Sequence, residues 1–374
     1  METIIKEVKD ISDLKEFISF PYKLYAGNKY WVPPLRFDEI NTLRKDKNPA
    51  FDFCEAKYWL AYKGGKIVGR IAGIINNRYI AKWKNKYARF GWIDFIDDEE
   101  VAKALLDTVE NWAKEKGMEA IEGPLGFTDL DYEGMLVDGF DELGTMASIY
   151  NHPYYPEYME KHGYQKEIDW VEFEIKIPKK VPEKIERIAN ISLQRNKLKV
   201  LKTRKRKDLL LYAKDMFNVL NMSYENIFGF VPLTEKQIDV YVKQYFGFIR
   251  PEYISMILDK DDRVAAFGIT MPSFSKALQK AKGRLFPFGF IHMLRAMKNN
   301  DVIDLYIIGV RPDMQGKGVN AIMFNEIMKI IINKKFVKAE TNFELENNYK
   351  VHALWKYFEK RQHKRRRCYI KHIG

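Results

Sequence analysis

The segment from residue 310 to residue 320 combines the end of a strand, a glycine-containing turn and the start of a helix. Residues 304–310 are apolar enough for a buried strand, and residues 319–334 carry apolar side chains at helical spacing. The first amides of a helix lack partners within it, and the helix dipole makes that end electropositive. Gly316 and Gly318 leave the backbone open to close approach. This pattern predicts a site for phosphate or pyrophosphate.

Two other phosphate-binding patterns fit this segment poorly. A P-loop requires a Ser or Thr after its lysine, but Gly318 stands there, and Gly309 lies too far from Gly316. The dinucleotide fingerprint GxGxxG is matched only loosely, because Ala321 takes the place of its third glycine. The site therefore does not look like an ATP or NAD site.

The segment resembles motif A of the GNAT acetyltransferase superfamily, V-x-P-x-x-[RQ]-G-x-G-x-[GA]. The matching residues are Val310, Pro312, Gln315, Gly316 and Gly318, whereas Asn320 departs from the usual small residue. In that family the turn amides hold the pyrophosphate of acetyl-CoA, and the preceding strand separates from its neighbour to admit the pantetheine arm. The resemblance implies acetyl-CoA or another acyl-CoA as cofactor, no metal, and N-acyl transfer to an amine. The cofactor-binding residues that it implies are Ile308, Val310, Arg311, Gln315, Gly316, Lys317, Gly318, Val319, Asn320 and Asn348.

Candidate catalytic residues lie on the strands beside this predicted cleft. The reaction needs a base that accepts a proton from an ammonium group, and Asp304, Tyr306 and Glu340 are the candidates. Glu340 is slightly favoured, because partial burial raises the pKa of a carboxyl group. The family's helical tyrosine, which protonates the departing thiolate, aligns with Phe358. Tyr357 replaces it only if the alignment is shifted by one residue.

The elements around the motif occur twice along the chain. Two strands, at 58–62 and 67–74, are followed by a strand at 90–95, a helix at 99–116 and a strand at 120–123. The same order recurs from residue 253 to residue 341, after helices predicted at 183–196 and 207–220 that open the second half. Each half then closes with a helix, predicted at 155–161 and at 349–361, and a final strand. The predicted fold is therefore α/β, with two GNAT-like domains that each hold a mixed sheet flanked by helices.

The proline pair Pro178 and Pro182 places the predicted boundary between residues 1–178 and 179–374. In the first domain, residues 94–100 carry five acidic side chains where the cofactor turn would lie, so this half is predicted to lack the turn. A long glycine-bearing connection at 123–140 is predicted to reach the cleft between domains. The aromatic-rich helix predicted at 286–297 either covers the acceptor cleft or only packs against the protein.

Charge and composition bound the remaining possibilities. The net charge is +12, and the stretch from Lys360 to Arg367 is its densest basic part. This stretch suits phosphates of a cofactor, RNA or an acidic lipid surface, or else a solvated helix end and edge strand. Two cysteines and six histidines form no metal-ligand spacing. Without a signal peptide or an apolar run of membrane-spanning length, a bacterial cytoplasmic protein with no membrane partner is expected.

Two alternative functions remain open at this level. Tandem GNAT halves also occur in tRNA-dependent aminoacyltransferases, for which the basic C-terminal stretch would bind RNA. A non-catalytic CoA sensor or nucleic-acid-binding protein would have kept the fold and lost the acid at the position of Phe358. The acceptor, the length of the acyl chain and the oligomeric state are not predicted.

Overall fold

A computed structural model of the chain describes residues 1–202, 205–246 and 249–374, which form fourteen strands and thirteen α-helices. The strands are β1 (Thr3–Glu7), β2 (Cys54–Lys63), β3 (Lys66–Asn76), β4 (Tyr87–Phe95), β5 (Ala120–Gly123), β6 (Met135–Asp138), β7 (Gln165–Lys176), β8 (Lys199–Val200), β9 (Ile254–Leu258), β10 (Val264–Pro272), β11 (Val302–Val310), β12 (Lys338–Thr341), β13 (Glu344–Leu345) and β14 (Lys360–His372).

The helices flank these strands on both sides, and most of them pack through an apolar stripe. They are α1 (Ile11–Leu24), α2 (Arg36–Leu43), α3 (Asn77–Trp83), α4 (Glu99–Glu115), α5 (Tyr154–Lys161), α6 (Glu183–Arg195), α7 (Arg206–Leu210), α8 (Ala213–Tyr224), α9 (Glu235–Tyr245), α10 (Ser275–Ala281), α11 (Gly289–Lys298), α12 (Val319–Asn333) and α13 (Tyr349–His352). The predicted helix at 207–220 is thus two helices, α7 and α8.

The strands join in one continuous mixed sheet. Its order is β1-β2-β3-β4-β5-β14-β7-β12-β11-β10-β9-β8, with β6 against β14 and β13 against β7. The pairs β4–β5 and β11–β12 are parallel, as expected for strands joined by a crossover helix, here α4 and α12. The prediction of an α/β fold in two similar halves is confirmed. The domain boundary at residue 178 stays a prediction.

The final strands of the two halves are exchanged. β14, at the end of the chain, pairs with β5 of the first half, and β7 of the first half pairs with β12 of the second. β7 and β14 also pair with each other along most of their length. The two halves therefore share a sheet centre that is built from both ends of the sequence.

Separate hydrophobic cores lie on the helix sides of the sheet. In the first half α4 buries Leu105 and Val109 against β3 and β4. In the second half α12 buries Ile322 and Ile327, and α6 packs beside it. Because α12 is almost wholly apolar along its buried face, the start of this helix is held at a fixed place relative to β11.

The predicted helix at 349–361 is wrong. Helix α13 ends at His352, a short 3-10 turn follows at Trp355–Tyr357, and β14 already begins at Lys360. The basic stretch therefore lies in a central strand with partners on both sides, instead of at a helix end. Strand pairing with β7 overrides the local helical pattern.

Candidate active site

β11 and β12 separate where the predicted cofactor cleft should open. Their parallel pairing runs from Val302 and Lys338 to Leu305 and Thr341, and a last bond joins the Asn342 amide to the Leu305 carbonyl at 3.0 Å. β11 then continues to Val310 while β12 has ended. The β12-facing edge of β11 is therefore left without a neighbouring strand, so an extended ligand with amide groups can pair with it.

A β-bulge at Tyr306 marks the inner end of this opening. Ile269 of β10 pairs with Ile307, but the next residue, Thr270, pairs with Leu305, so Tyr306 is the extra residue on β11. A bulge turns the local backbone and leaves the extra residue outside the regular ladder. The Tyr306 carbonyl accepts a hydrogen bond from the Asn342 side chain at 3.2 Å.

The glycine turn lies at the outer end of β11, at the start of α12. Gly318 is the N-cap of α12 with φ of 76°, and no side chain caps this helix. The amides of Gly316, Gly318, Val319 and Asn320 donate to no acceptor within the described residues. Gly316 has φ of 75° and open space around it, so these donors can reach an incoming anion.

Gly318 also has a packing role. A Cβ atom at this position would lie 2.1 Å from the Ser192 hydroxyl oxygen of α6. The absence of a side chain therefore lets α6 lie against the start of α12. The Asn196 side chain, at the end of α6, donates to the Lys317 carbonyl at 3.2 Å and holds the turn from the other side.

The two predicted cations of the turn have different surroundings. The Arg311 guanidinium is paired with Asp259 at 2.8 Å and with Asp313 at 2.6 Å, so its charge is largely neutralised within the protein. Lys317 is exposed and makes no ion pair within the described residues. Lys317 is thus the cation of the turn that remains available to a phosphate.

The corresponding place in the first half is filled by the protein itself. At the start of α4 the Asp98 carboxylate accepts hydrogen bonds from the Glu100 and Val101 amides, and Lys63 pairs with Asp98 at 2.7 Å. The amides that would hold a pyrophosphate already have an acceptor, and an anion there would meet acidic side chains. This geometry supports the prediction that only the second half carries the cofactor turn.

A deep cleft follows the open edge of β11 and draws on both halves of the chain. Its volume is about 1280 Å³ with the open mouth included. The second half contributes Tyr306, Ile308, Asn348 and the aromatic residue Phe343. The first half contributes Asp129, Leu130, Asp131, Glu133 and Ala147. The long connection after β5 therefore reaches the cleft, as the sequence predicts.

Glu133 is the least satisfied of the acidic groups that line the cleft. Its side chain is 6% exposed, and its carboxyl group makes no hydrogen bond within the described residues. Burial, together with the nearby charge of Asp129, raises the pKa of Glu133 well above its usual range. Asp129 and Asp131, in contrast, accept backbone hydrogen bonds from Val231 and Thr128. Sequence reasoning did not single out any of these three carboxyl groups.

The predicted catalytic residues of β11 and β12 lie close together. The Tyr306 hydroxyl donates to Asp304 at 3.2 Å, and burial, followed by the charge of Glu340, raises the pKa of Asp304 to about 7. Glu340 lies next to Asp304 in the parallel register, with Lys338 at 3.5 Å and Lys364 at 3.6 Å. Glu340 is thus engaged in two ion pairs, and its side chain does not line the cleft.

Tyr357 lies apart from these residues. It belongs to the 3-10 turn before β14, where Lys184 and Lys356 lie over its ring, and it does not line the cleft. Phe358, beside it, is in extended conformation and packs against the second core. Neither residue is placed to protonate a thiolate in the cleft. Asn348 does line the cleft and accepts a hydrogen bond from the Val351 amide at 3.4 Å.

The basic stretch in β14 is neutralised by acidic residues of neighbouring strands and loops. Lys364 and Arg366 are each 1% exposed and pair with Glu172 of β7 at 3.0 and 2.6 Å. Arg365 and Arg367 both pair with Asp169 at 2.9 Å. This arrangement gives the stretch a structural role in the sheet centre and removes the observation that favoured RNA binding.

Comparisons with known proteins agree with this architecture. No protein-family model matches the chain. Among solved structures it is similar to a tandem GNAT protein from the clavulanic acid biosynthesis pathway, with a TM-score of 0.58, 11% identity, and coverage of 100% of this chain and 99% of that one. The chain has the tandem GNAT fold. A second GNAT structure, the glucosamine N-acetyltransferase region of a fungal β-N-acetylglucosaminidase, matches 99% of this chain and 38% of its own, with a TM-score of 0.56 and 14% identity.

Two relatives are similar in sequence along most of the chain. Protein YghO of Escherichia coli (strain K12) is 27% identical, covering 99% of this chain and 95% of its own. A protein named bacterial ceramide synthase, from Caulobacter vibrioides (strain NA1000 / CB15N), is 26% identical, covering 82% of this chain and 80% of its own. The sequence similarity to these two relatives therefore extends over both halves.

Metal sites and membrane-spanning helices are both absent from the described part of the chain. Within residues 1–202, 205–246 and 249–374, no group of three or more His, Cys, Asp or Glu side chains is placed to hold a metal ion. Across the same ranges, no helix has both the length and the apolar character required to span a bilayer.

Proposed function

We propose that this protein is an N-acyltransferase that moves an acyl group from acyl-CoA to a primary amine. The observation that carries the proposal is the combination of the open edge of β11 with the uncapped start of α12. Acyl-CoA has a diphosphate at one end of its pantetheine arm and a thioester at the other. The turn and the bulge lie at the two ends of the same strand edge.

In this proposal the cofactor lies along β11. The amides of Gly316, Gly318, Val319 and Asn320 bind the pyrophosphate, and Lys317 adds a charge-assisted contact. The edge of β11 beyond the end of β12, from Tyr306 to Val310 and with Ile308 in the cleft lining, binds the amides of the pantetheine arm. The Tyr306 and Ile308 carbonyls already accept side-chain hydrogen bonds from Asn342 and Tyr224, and a carbonyl oxygen can accept a second one from the ligand. Gln315 and Arg311 support the turn: Gln315 donates to the Val310 carbonyl at 3.3 Å, and Arg311 holds the Asp259 loop.

The proposed general base is Glu133. Its free carboxylate accepts a proton from the acceptor ammonium, and the neutral amine then attacks the thioester carbonyl carbon. The carbon–sulfur bond breaks and CoA departs as a thiolate, and the second proton of the former ammonium passes from the new amide nitrogen to the thiolate or to solvent. Because a thiol of this kind has a pKa of about 8.5, the thiolate leaves without a nearby acid, which agrees with the phenylalanine at position 358. The Asp304–Tyr306 pair is a second candidate for moving the proton.

The proposed acceptor is an amphiphilic amine. The acidic groups of Asp129, Asp131 and Glu133 favour a cationic ammonium, while Leu130, Ile227, Phe228 and Phe343 line the same cleft with apolar surface. The name of the Caulobacter relative supports this choice, because a ceramide is a fatty amide of a long-chain amino alcohol. Aminoacyl transfer from tRNA has no comparable support, since the basic residues of β14 are paired inside the sheet.

Calorimetric titration with acyl-CoA tests the cofactor site. Gly316→Asp places a carboxylate among the proposed phosphate donors, and we expect it to weaken binding about tenfold or more. Gly117→Asp is the matched control, because Gly117 also has a positive φ, of 72°, and nothing within 4 Å of an added Cβ. Equal affinity of the two variants, or no saturable binding by the wild-type protein, would refute the proposed site.

Release of free thiol from acyl-CoA then tests the reaction. A long-chain 2-amino alcohol is compared with ethanolamine, which has the same polar group without the chain. We expect amine-dependent thiol release with the long-chain compound and far less with ethanolamine. Preference for the short amine would contradict the proposed acceptor class and leave the cofactor site standing.

A further inference from the structure

The connection between β10 and β11 carries an exposed apolar surface. Phe286 and Phe288 are 78% and 70% exposed, and Phe290 and Leu294 are 40% and 48% exposed. The rings of Phe286 and Phe290 lie 6.0 Å apart, so they form one patch. These four side chains are called the phenylalanine patch below. Exposed aromatic groups concentrated in this way usually mark a surface that binds another protein, a ligand or a membrane.

The same connection is strongly basic. Residues 273–300 contain six lysines and arginines and no aspartate or glutamate; the six are Lys276, Lys280, Lys282, Arg284, Arg295 and Lys298. None of the six makes an ion pair with a carboxylate of the described residues, in contrast to the basic stretch of β14. Their charge is therefore available to an external anion.

A small hydrophobic core lies beneath the helix that carries part of the phenylalanine patch. Met293, Ala296 and Met297 of α11 pack into a small core with Phe274 and Leu278 of α10. Residues Leu143 and Met146 of the first half belong to the same core, and the next residue, Ala147, lines the cleft. The packed side of α11 thus connects to the acceptor side of the cleft, while Phe290 and Leu294 of α11, with Phe286 and Phe288 just before it, form the phenylalanine patch.

We infer that this surface docks the protein onto a bilayer that contains anionic phospholipid. A bilayer presents phosphate groups above hydrocarbon, and the connection presents six exposed basic side chains together with the exposed phenylalanine patch. The phenylalanine and leucine side chains of the patch gain free energy in hydrocarbon, whereas a duplex nucleic acid offers them no comparable layer. Surface docking needs only a few inserted side chains, so it is compatible with the finding that no helix among the described residues could span a bilayer. The inferred docking to a bilayer does not depend on the proposed acyl transfer.

Co-sedimentation of the full chain with vesicles tests the inference. Vesicles of phosphatidylcholine alone are compared with vesicles that also contain phosphatidylglycerol. We expect binding to the anionic vesicles, and Phe286→Ser with Phe288→Ser should weaken it about tenfold or more. The double variant Arg284→Gln, Arg295→Gln should weaken vesicle binding to a similar degree. Its difference from the wild-type protein should grow as the salt concentration is lowered. Leu211→Ser, at a residue 79% exposed in the α7–α8 connection, and Lys350→Gln are the matched controls and should have no effect.

A dye at the patch gives an independent readout. Cys54 and Cys368 are buried, so Phe288→Cys provides a single accessible thiol for an environment-sensitive fluorophore. Its emission should shift to shorter wavelength on anionic vesicles and stay unchanged with heparin, a polyanion without an apolar layer. Equal binding of the phenylalanine variant and the wild-type protein to vesicles would overturn the inference. The inference would also be overturned if the dye emission did not shift on anionic vesicles. It would be overturned as well if the protein formed a dimer without lipid and the Phe286→Ser, Phe288→Ser variant did not.

Discussion

At the scale of single residues, Glu133 combines the properties that a general base needs. It is buried in the cleft wall, free of hydrogen bonds within the described residues, and its pKa lies well above the usual range of a glutamic acid. We expect Glu133→Gln to lower kcat/KM for the amine about 10²- to 10⁴-fold while acyl-CoA affinity is retained. Glu340→Gln should have a smaller effect, because Glu340 is held by Lys338 and Lys364.

The pH dependence of the reaction provides a second test of Glu133. A base acts only when deprotonated, so raising its pKa moves the rising part of the kcat/KM profile to higher pH. The wild-type profile should therefore rise at a pH above the ordinary range of a glutamic acid. Steady-state rates across a pH series would show this, with the rise absent in Glu133→Gln. An unchanged profile in that variant would assign the base elsewhere, with Asp304 as the next candidate.

Glu172 is the residue on which the stability of the sheet centre depends most directly. Burial alone would raise its pKa, but Lys364 and Arg366 beside it more than offset this and lower the pKa to about 2. Glu172→Gln leaves the buried Arg366 without its carboxylate and leaves Lys364 with only the more distant Glu340, so we expect a loss of about 3–5 kcal/mol in the free energy of unfolding. Urea unfolding at neutral pH would measure this loss, with Glu174→Gln, at the partly exposed carboxylate of the same strand, as the milder control.

The sign of the pH effect at Glu172 follows from its lowered pKa. The stabilisation is present above the ordinary glutamic acid pKa and is lost as pH falls from about 4.5 towards 2, because the folded protein must then take up a proton. The stability difference between the wild-type protein and Glu172→Gln should therefore shrink across that range. A difference that stays constant at low pH would mean that the variant disturbs packing and not charge.

The residue scale also shows where sequence reasoning reached its limit. The turn from Gln315 to Asn320 could be predicted because its glycines, strand and helix are adjacent in the chain. Glu133 could not, because it reaches the cleft from the other half of the sequence. Glu340 was favoured from its strand position, and only the structure shows the two lysines near it.

At the scale of elements, the contact between α6 and α12 depends on Gly318. Gly318→Ala brings a Cβ within 2.1 Å of the Ser192 hydroxyl oxygen and places alanine at a positive φ, so we expect a loss of about 1–3 kcal/mol. Removing that oxygen with Ser192→Ala should recover part of the loss in the double variant. In Gly316→Ala the added Cβ contacts nothing, so this variant should lose only the stability that the positive φ costs an alanine. A thermal unfolding series measures all four proteins, and additive effects of Gly318→Ala and Ser192→Ala would contradict this contact.

The same scale explains the wrong helix at 349–361. Apolar and charged residues there alternate in a way that suits a helix, and α13 does form at its start. The rest becomes a turn and the beginning of β14, because Lys360 and Arg361 pair with β7 in the sheet centre. Local pattern alone cannot represent a partner strand that lies almost two hundred residues earlier in the sequence.

At the scale of the whole molecule, the order of elements in each half could be predicted, but the exchange of β7 and β14 could not. Both strands end a half and carry similar patterns, so either assignment satisfies the sequence. The exchange arises because the two strands pair with each other while each also completes the sheet of the opposite half. The halves are consequently coupled in folding, although the motif itself lies in only one of them.

This coupling predicts how a fragment of residues 1–178 behaves. Without β14 the fragment exposes the edges of β5 and β7, and Asp169 and Glu172 lose their arginine and lysine partners. We expect the fragment to aggregate or to unfold without a cooperative transition, whereas the full chain melts cooperatively. Fusing residues 358–374 to its end through a glycine-rich linker supplies the missing strand and should restore a cooperative transition in calorimetry. If the unfused fragment already melts cooperatively, the first half folds without the exchanged strand. The boundary at residue 178 would then separate two independently folding domains.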